Sequence, residues 1–260
     1  MTLPVPNYPI ENAGALHING CNVSFLTGTT LSLSAGQARD SQNINDISLA
    51  AAVTINAATV GANGLDTGAL ANSTLYAVWL IGDSTKYNDA AGLLSTSFTS
   101  PSLPAGYDMA RRVGAVLTSG AAAILEFSQR GDGADRHMYY EVAVATDIAI
   151  AVGGGGGGTA VAAAPGAVDC SDSIPSTASM VHALCLLTAD GAGLRSASLR
   201  DGTITGAGNP QAIMSAATSL VNNSVLTVPC SNNPTTAIDY FTSNANAGLT
   251  ISVIGYVDVV

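Results

Sequence analysis

Short runs of Val, Ile, Leu, Thr and Tyr recur along this chain between clusters of Gly, Asn, Asp, Ser and Pro, the pattern of strands joined by turns. Very little of it carries the 3.6-residue periodicity of an amphipathic helix. The clearest run, residues 74–81, is apolar on both faces and predicts a central strand buried on two sides. Runs 112–117 and 123–127 flank Thr118-Ser119-Gly120 and read as a hairpin. Another strand starts at Met138 and runs to Val144, with a continuation towards Val152 open. Runs 180–187 and 194–199 flank the turn-rich tip Asp190-Gly191-Ala192-Gly193. Further strands are expected at 224–230, 237–242 and 249–257. Residues 43–59 suit a short helix by Ala content, or a strand through Val53-Thr54-Ile55. Short strands at regular spacing, without helices between them, predict an all-β fold: an antiparallel β-sandwich or jelly-roll-like arrangement with little helix.

Composition narrows the function classes. Charged residues make up 10% of the 260, against roughly a quarter in an ordinary domain. A net charge of −10 and a pI near 4.3 argue against nucleic acid as a partner, because phosphates require clustered Lys and Arg. The same balance argues against an anionic membrane surface. Hydrophobic content of 47% excludes a disordered chain. The mean hydropathy of +0.35 and the uncharged stretch 148–168 invite a membrane span, but its middle is six glycines, 153–158, followed by Pro165. At about 1 kcal/mol per Gly in a helix, a flexible loop is the better reading. Met1-Thr2-Leu3-Pro4-Val5-Pro6 lacks a basic n-region and an apolar h-region, so synthesis in a reducing cytoplasm without a signal peptide is expected. Cys21, Cys170, Cys185 and Cys230 then read as unpaired thiols, with Cys185 inside an apolar run.

Candidate chemistry is thin. His17, His137 and His182 share no metal-ligand spacing, no Gly-x-Ser-x-Gly elbow is present, and the Gly run lacks the Lys and Ser/Thr of a phosphate loop. Arg130-Gly131-Asp132 can be an adhesion tripeptide, but a solvated turn between strands is the better reading. One Trp, eight Tyr and four Phe are few for a sugar-stacking cleft. No catalytic residue, cofactor site or metal site is assigned.

One block stands above this background. Gly64-Leu65-Asp66-Thr67-Gly68 leads through Asn72-Ser73-Thr74-Leu75-Tyr76 into the 78–81 strand. Gly92-Leu93-Leu94-Ser95-Thr96-Ser97, Pro101-Ser102-Leu103-Pro104-Ala105-Gly106-Tyr107 and Arg111-Arg112-Val113-Gly114 follow. This order resembles a module of tailed-bacteriophage structural proteins of the tail-fibre, head-fibre or minor-virion type, most closely over residues 60–130. The ending Gly255-Tyr256-Val257-Asp258 is similar to the last strand of such proteins. In this block Gly64, Gly68 and Gly106 are expected to allow tight turns, Pro101 and Pro104 to hold an extended connection, and Tyr76 and Trp79 to fill a small-residue core.

The resemblance implies a non-enzymatic virion protein, a tail-associated fibre or adsorption component ahead of a capsid-decoration or head-fibre protein. A polysaccharide-degrading spike enzyme is the weaker alternative. It implies self-association, as a homotrimer, with other virion proteins and a host surface glycan or receptor as partners. Residues 1–60 read as a β-rich segment and a candidate for particle attachment, and 61–260 as one sandwich with the Gly-rich loop at 153–158. Two β domains split near 153 are the alternative. The strand 249–259, apolar but for Asp258, is a candidate interface or attachment edge, or else it closes the core.

Overall fold

The computed structural model describes residues 17–131, 133–144, 166–189, 195–201, 212–216, 221–230, 237–242 and 247–260. The glycine run 153–158, the 190–193 tip, Asp132 and the continuation towards Val152 lie outside the described residues. Among those described, every regular element is a strand.

Six short strands come first: β1 (Ile18–Gly20), β2 (Val23–Thr27), β3 (Thr30–Leu33), β4 (Gly36–Arg39), β5 (Asp46–Leu49) and β6 (Val53–Asn56). They form two antiparallel sheets, ordered β1-β4-β5 and β2-β3-β6. Their alternation is of period two, so Leu31, Leu33, Ile47, Leu49 and Ile55 all point into the core. Residues 46–49 and 53–56 are therefore strands, and the Ala content of 43–59 does not make a helix.

A third sheet holds β7 (Gly64–Leu65), β8 (Leu75–Asp83), β9 (Lys86–Ser95) and β10 (Met109–Leu117), in the order β10-β8-β9-β7. β8 lies inside it, and its residues Tyr76 to Ile81 are buried whichever face they point to, as its double-sided hydrophobicity predicts. Val78, Leu80 and Leu94 share the main core with Ile47 and Ile55. The opposite face carries a second, smaller core of Ala77, Trp79, Ile81, Ala91 and Leu93, covered by Phe98, Leu103 and Tyr107. The strands before residue 60 thus share a core with β8 and β9.

The remaining strands are β11 (Phe127–Arg130), β12 (Asp135–Val144), β13 (Gly166–Asp169), β14 (Ala178–Ala189), β15 (Arg195–Asp201), β16 (Ala212–Ala216), β17 (Val221–Pro229), β18 (Ala237–Thr242) and β19 (Ala247–Val259). One sheet is ordered β11-β12-β19-β14-β17 and the other β13-β18-β15-β16, all antiparallel. Setting β11 aside, the eight strands divide between two four-stranded sheets in the double Greek-key order of a jelly roll, with β15 and β16 the one consecutive pair in the same sheet. The alternation in β14 shows the sandwich directly: Val181, Ala183, Cys185 and Leu187 are buried, while Met180 and Leu184 are exposed.

Three local expectations change. Residues 112–117 and 123–127 do not form a hairpin ladder; one bridge, Thr118 to Ile124, joins them, and β11 pairs with β12 instead. The runs flanking the 190–193 tip lie in different sheets, because a jelly roll crosses from one sheet to the other at that point. β19 is hydrogen-bonded on both sides, to β12 and to β14, so it has no edge to offer and instead closes the core.

Candidate functional site

The residues that carry the family resemblance converge around β8 and β9, and their polar groups bind one another. Asp66 Oδ2 accepts from Ser95 Oγ at 2.6 Å and from the Ser102 N–H at 3.2 Å, which ties three motif segments to one carboxylate. Ser95 Oγ in turn accepts from the Ser97 N–H, and Trp79 Nε1–H donates to Ser97 O at 3.1 Å. Tyr76 Oη accepts from the Ala71 N–H at 2.8 Å, pinning the 66–74 segment over the sheet. The Tyr107 N–H donates to Pro104 O across a turn in which Gly106 has a φ of +90°, as expected for that glycine. Gly64 is needed for a different reason from the one expected. It lies in β7, and a Cβ there would stand 2.4 Å from Thr59 O.

The Arg111-Arg112 pair and the 255–258 ending, far apart in the chain, meet at a buried seam. Arg112 Nη1 donates to Asp258 Oδ2, and Arg112 Nη2 donates to Val259 O at 2.6 Å. Thr177 Oγ1 fills the other carboxylate oxygen at 2.6 Å. Arg111 Nη2 donates to Val260 O at 2.7 Å, and Tyr256 Oη–H donates to Ala115 O at 2.9 Å. Burial and the adjacent Arg112 both lower the affinity of Arg111 for its proton. A second joint uses Arg136, whose guanidinium donates to Gly20 O (2.8 Å), Gly131 O (3.1 Å) and Asn22 Oδ1. Gln129 Oε1 accepts from the Val23 N–H beside it. Each of these arginines satisfies backbone or carboxylate oxygens inside the protein.

The histidines do not assemble a metal or catalytic centre. His17 lies 3.8 Å from Asp46 at the start of the first sheet. His137 and His182 belong to a ring stack on the outer face of the five-stranded sheet, where Tyr139 and His182 lie 4.8 Å apart at 10°. Both of these rings flank Gly255 on β19, and a Cβ at Gly255 would come within 2.1 Å of Met138 O. His182 Nδ1 shares a hydrogen bond of 2.9 Å with Thr227 Oγ1, and burial with the His137 neighbour pushes its pKa down. The Arg130 guanidinium lies over the Tyr139 ring at 5.7 Å, folded back on the sheet, which suits a turn more than an adhesive tip.

A cleft of about 340 Å³ opens between the 40–42 turn and the 99–110 connection, with Trp79 and Met109 at its floor. Its carboxylates are engaged locally: Asp40 Oδ1 accepts from the Ile44 N–H, and Asp108 accepts from the N–H and Oγ of Ser84. Ser84 thereby pins its loop to Asp108 through both its N–H and its hydroxyl. Among the described residues no group of three or more His, Cys, Asp or Glu could hold a metal ion. The four cysteines are buried thiols outside any disulfide, their pKa pushed up to about 12 at Cys170, Cys185 and Cys230 and to about 11 at Cys21.

The seam was open to sequence reasoning through a signal left unused. Two adjacent arginines in an otherwise apolar strand, and one aspartate in an apolar terminal strand, must each find a counter-charge if both strands are buried. The Tyr139–His182 stack and the Arg136 joint had no such signal, because each depends on strand register.

No family model and no curated protein matches this chain. A solved structure of infectious bursal disease virus, Gx strain, is similar at a TM-score of 0.20 and 13% identity, covering 95% of this chain and 66% of that one. A likeness of that strength carries no argument.

Proposed function

We propose that this chain is a non-enzymatic structural protein of a bacteriophage virion, working by assembly as a tail-associated fibre or adsorption component. The observation that supports this reading is what the resembling segments do. Asp66, Ser95, Ser102, Arg112 and Asp258 spend their polar groups on holding the fold together, and none faces a substrate-sized constellation of acid, base and nucleophile. A virion component needs a persistent scaffold of this kind, and a polysaccharide-degrading spike would need free carboxylates in a cleft. Copies of the same chain, neighbouring virion proteins and a host surface glycan or receptor are its partners under this reading. A sandwich whose described residues form no repeating shaft favours, as the second reading, a capsid-decoration or head-fibre protein.

Antibodies raised against the purified chain and imaged on particles of the phage that encodes it test both. Label at the tail supports the adsorption reading and label over the head supports decoration. Particles that lack the chain altogether overturn both.

A further inference from the structure

We propose that the outer edge of β17 is a self-association surface on which a second copy of this chain docks, antiparallel and about a two-fold axis through Val225. The argument is independent of the virion reading and begins with the sheet edges. Only two edge strands among the described residues exceed five residues, β10 and β17, each of nine. The β10 edge is already used: Ala110 O accepts from the Ser41 N–H, Ala115 O accepts from Tyr256, and the side chains of Arg111 and Arg112 reach across to Val260 and Asp258. β17 pairs with β14 on one side, and no described strand pairs with it on the other. Its outward N–H and C=O groups fit the backbone of another extended strand.

The side chains make that strand a copy of β17 itself. Val221-Asn222-Asn223-Ser224-Val225-Leu226-Thr227-Val228-Pro229 contains no charge, on a chain whose net charge is −10. It lacks the Lys or inward charge with which sheet proteins protect an edge, and its one protective residue, Pro229, stands at the last position of the strand. Exposed carboxylates such as Asp89, Asp108, Glu126, Asp135 and Glu141 would repel their equivalents if copies met elsewhere, whereas β17 brings no carboxylate to the contact.

Antiparallel pairing centred on Val225 sets Asn223 against Thr227 of the copy and Ser224 against Leu226. Val225, 60% exposed, meets its own counterpart. Leu184 stands directly beside Val225 on β14 and is also exposed. The two-fold therefore creates one row, Leu184–Val225–Val225–Leu184, in which each apolar side chain gains an apolar neighbour. An isologous contact of this kind closes with two copies.

Light scattering on the purified full chain tests the proposal. The expected mass is twice 25.9 kDa. Val225→Lys places two ammonium groups opposite each other and is expected to give the single-chain mass with an unchanged β-type circular dichroism spectrum. Val60→Lys, at a more exposed apolar position remote from β17, is expected to keep the double mass. Val225→Cys is expected to cross-link to its counterpart on mild oxidation, because the native thiols are all buried. A single-chain mass for the unsubstituted protein at high concentration, a triple mass, or a double mass that survives Val225→Lys would each overturn the proposal.

Discussion

Arg112 and Asp258, 146 residues apart in the chain, form a buried ion pair, the aspartate having no exposed surface. The pair joins β10 of the N-terminal layers to β19 at the centre of the jelly-roll sheet. Its carboxylate is completed by Thr177 and its guanidinium by Val259 O, so both carboxylate oxygens and both Nη groups at the joint are answered.

Removing one member of such a pair leaves the other charge buried and alone. Asp258→Asn or Arg112→Met is expected to cost about 3–5 kcal/mol of stability. Urea denaturation should show this as a lower midpoint. Replacing both together, as Arg112→Met with Asp258→Leu, should recover a large part of the loss, because no uncompensated charge remains.

Gly255→Ala is expected to destabilise by about 1–3 kcal/mol, through overpacking against fixed backbone. The cause is local: the new Cβ would fall 2.1 Å from Met138 O, and the strand would have to separate from β12 to admit it. Thermal melts compared with Gly120→Ala, where φ is ordinary and a Cβ meets only Ser73 Oγ at 3.9 Å, separate this clash from the general effect of replacing a glycine.

Asp66→Ala is expected to loosen the 96–108 connection without unfolding the sheets. Trp79 is the one tryptophan of the chain and lies beneath that connection, so its fluorescence reports the change directly. The native protein should emit at short wavelength and resist acrylamide quenching. The variant should shift to longer wavelength and be quenched several-fold faster, while circular dichroism stays that of the native chain.

The His182 imidazole sets a pH dependence with a definite sign. Burial and His137 hold its folded-state pKa below that of the unfolded chain, near 6.5. The unfolded state then binds the proton first as pH falls, so stability is complete above that unfolded value and declines below it. The urea midpoint should fall between pH 7 and pH 5 more steeply in the native protein than in His182→Gln, which retains a polar partner for Thr227.

The thiols supply a simple accessibility measurement. All four are expected to resist an aromatic disulfide reagent in the folded protein at pH 8 and to react within seconds in denaturant. Fast reaction of any one in the native state would contradict its burial.

The all-β architecture was legible because its strands alternate or run apolar with a period that no helix shares. β8, β12, β14, β17, β18 and β19 lie where the hydrophobic pattern puts them. Pairing was less legible. The apolar run 112–117 says that β10 is buried, but not that its partner is β8 and that its far side faces Tyr256 and Asp258. Sequence neighbours suggested a hairpin at 118–120 and a turn-rich tip at 190–193, and the double Greek key sends the strands on either side of that tip to opposite sheets. The motif block was visible as a pattern, whereas its physical content, one carboxylate at Asp66 joining three segments, required the fold.

The position of β19 also governs the order in which this protein can become native. β12 and β14 are not neighbours; residues 247–259 lie between them and complete both ladders. The same strand delivers the partner of Arg112 and the hydroxyl that caps β10. Until it arrives, β12, more than a hundred residues earlier, and β14 each keep an open edge, and Arg112 lacks the Asp258 carboxylate. Folding dominated by such distant contacts is slow and leaves sticky intermediates. Maturation is therefore a late, concerted event, and conditions that lengthen the wait for β19 should divert the chain into aggregates before they affect the finished protein.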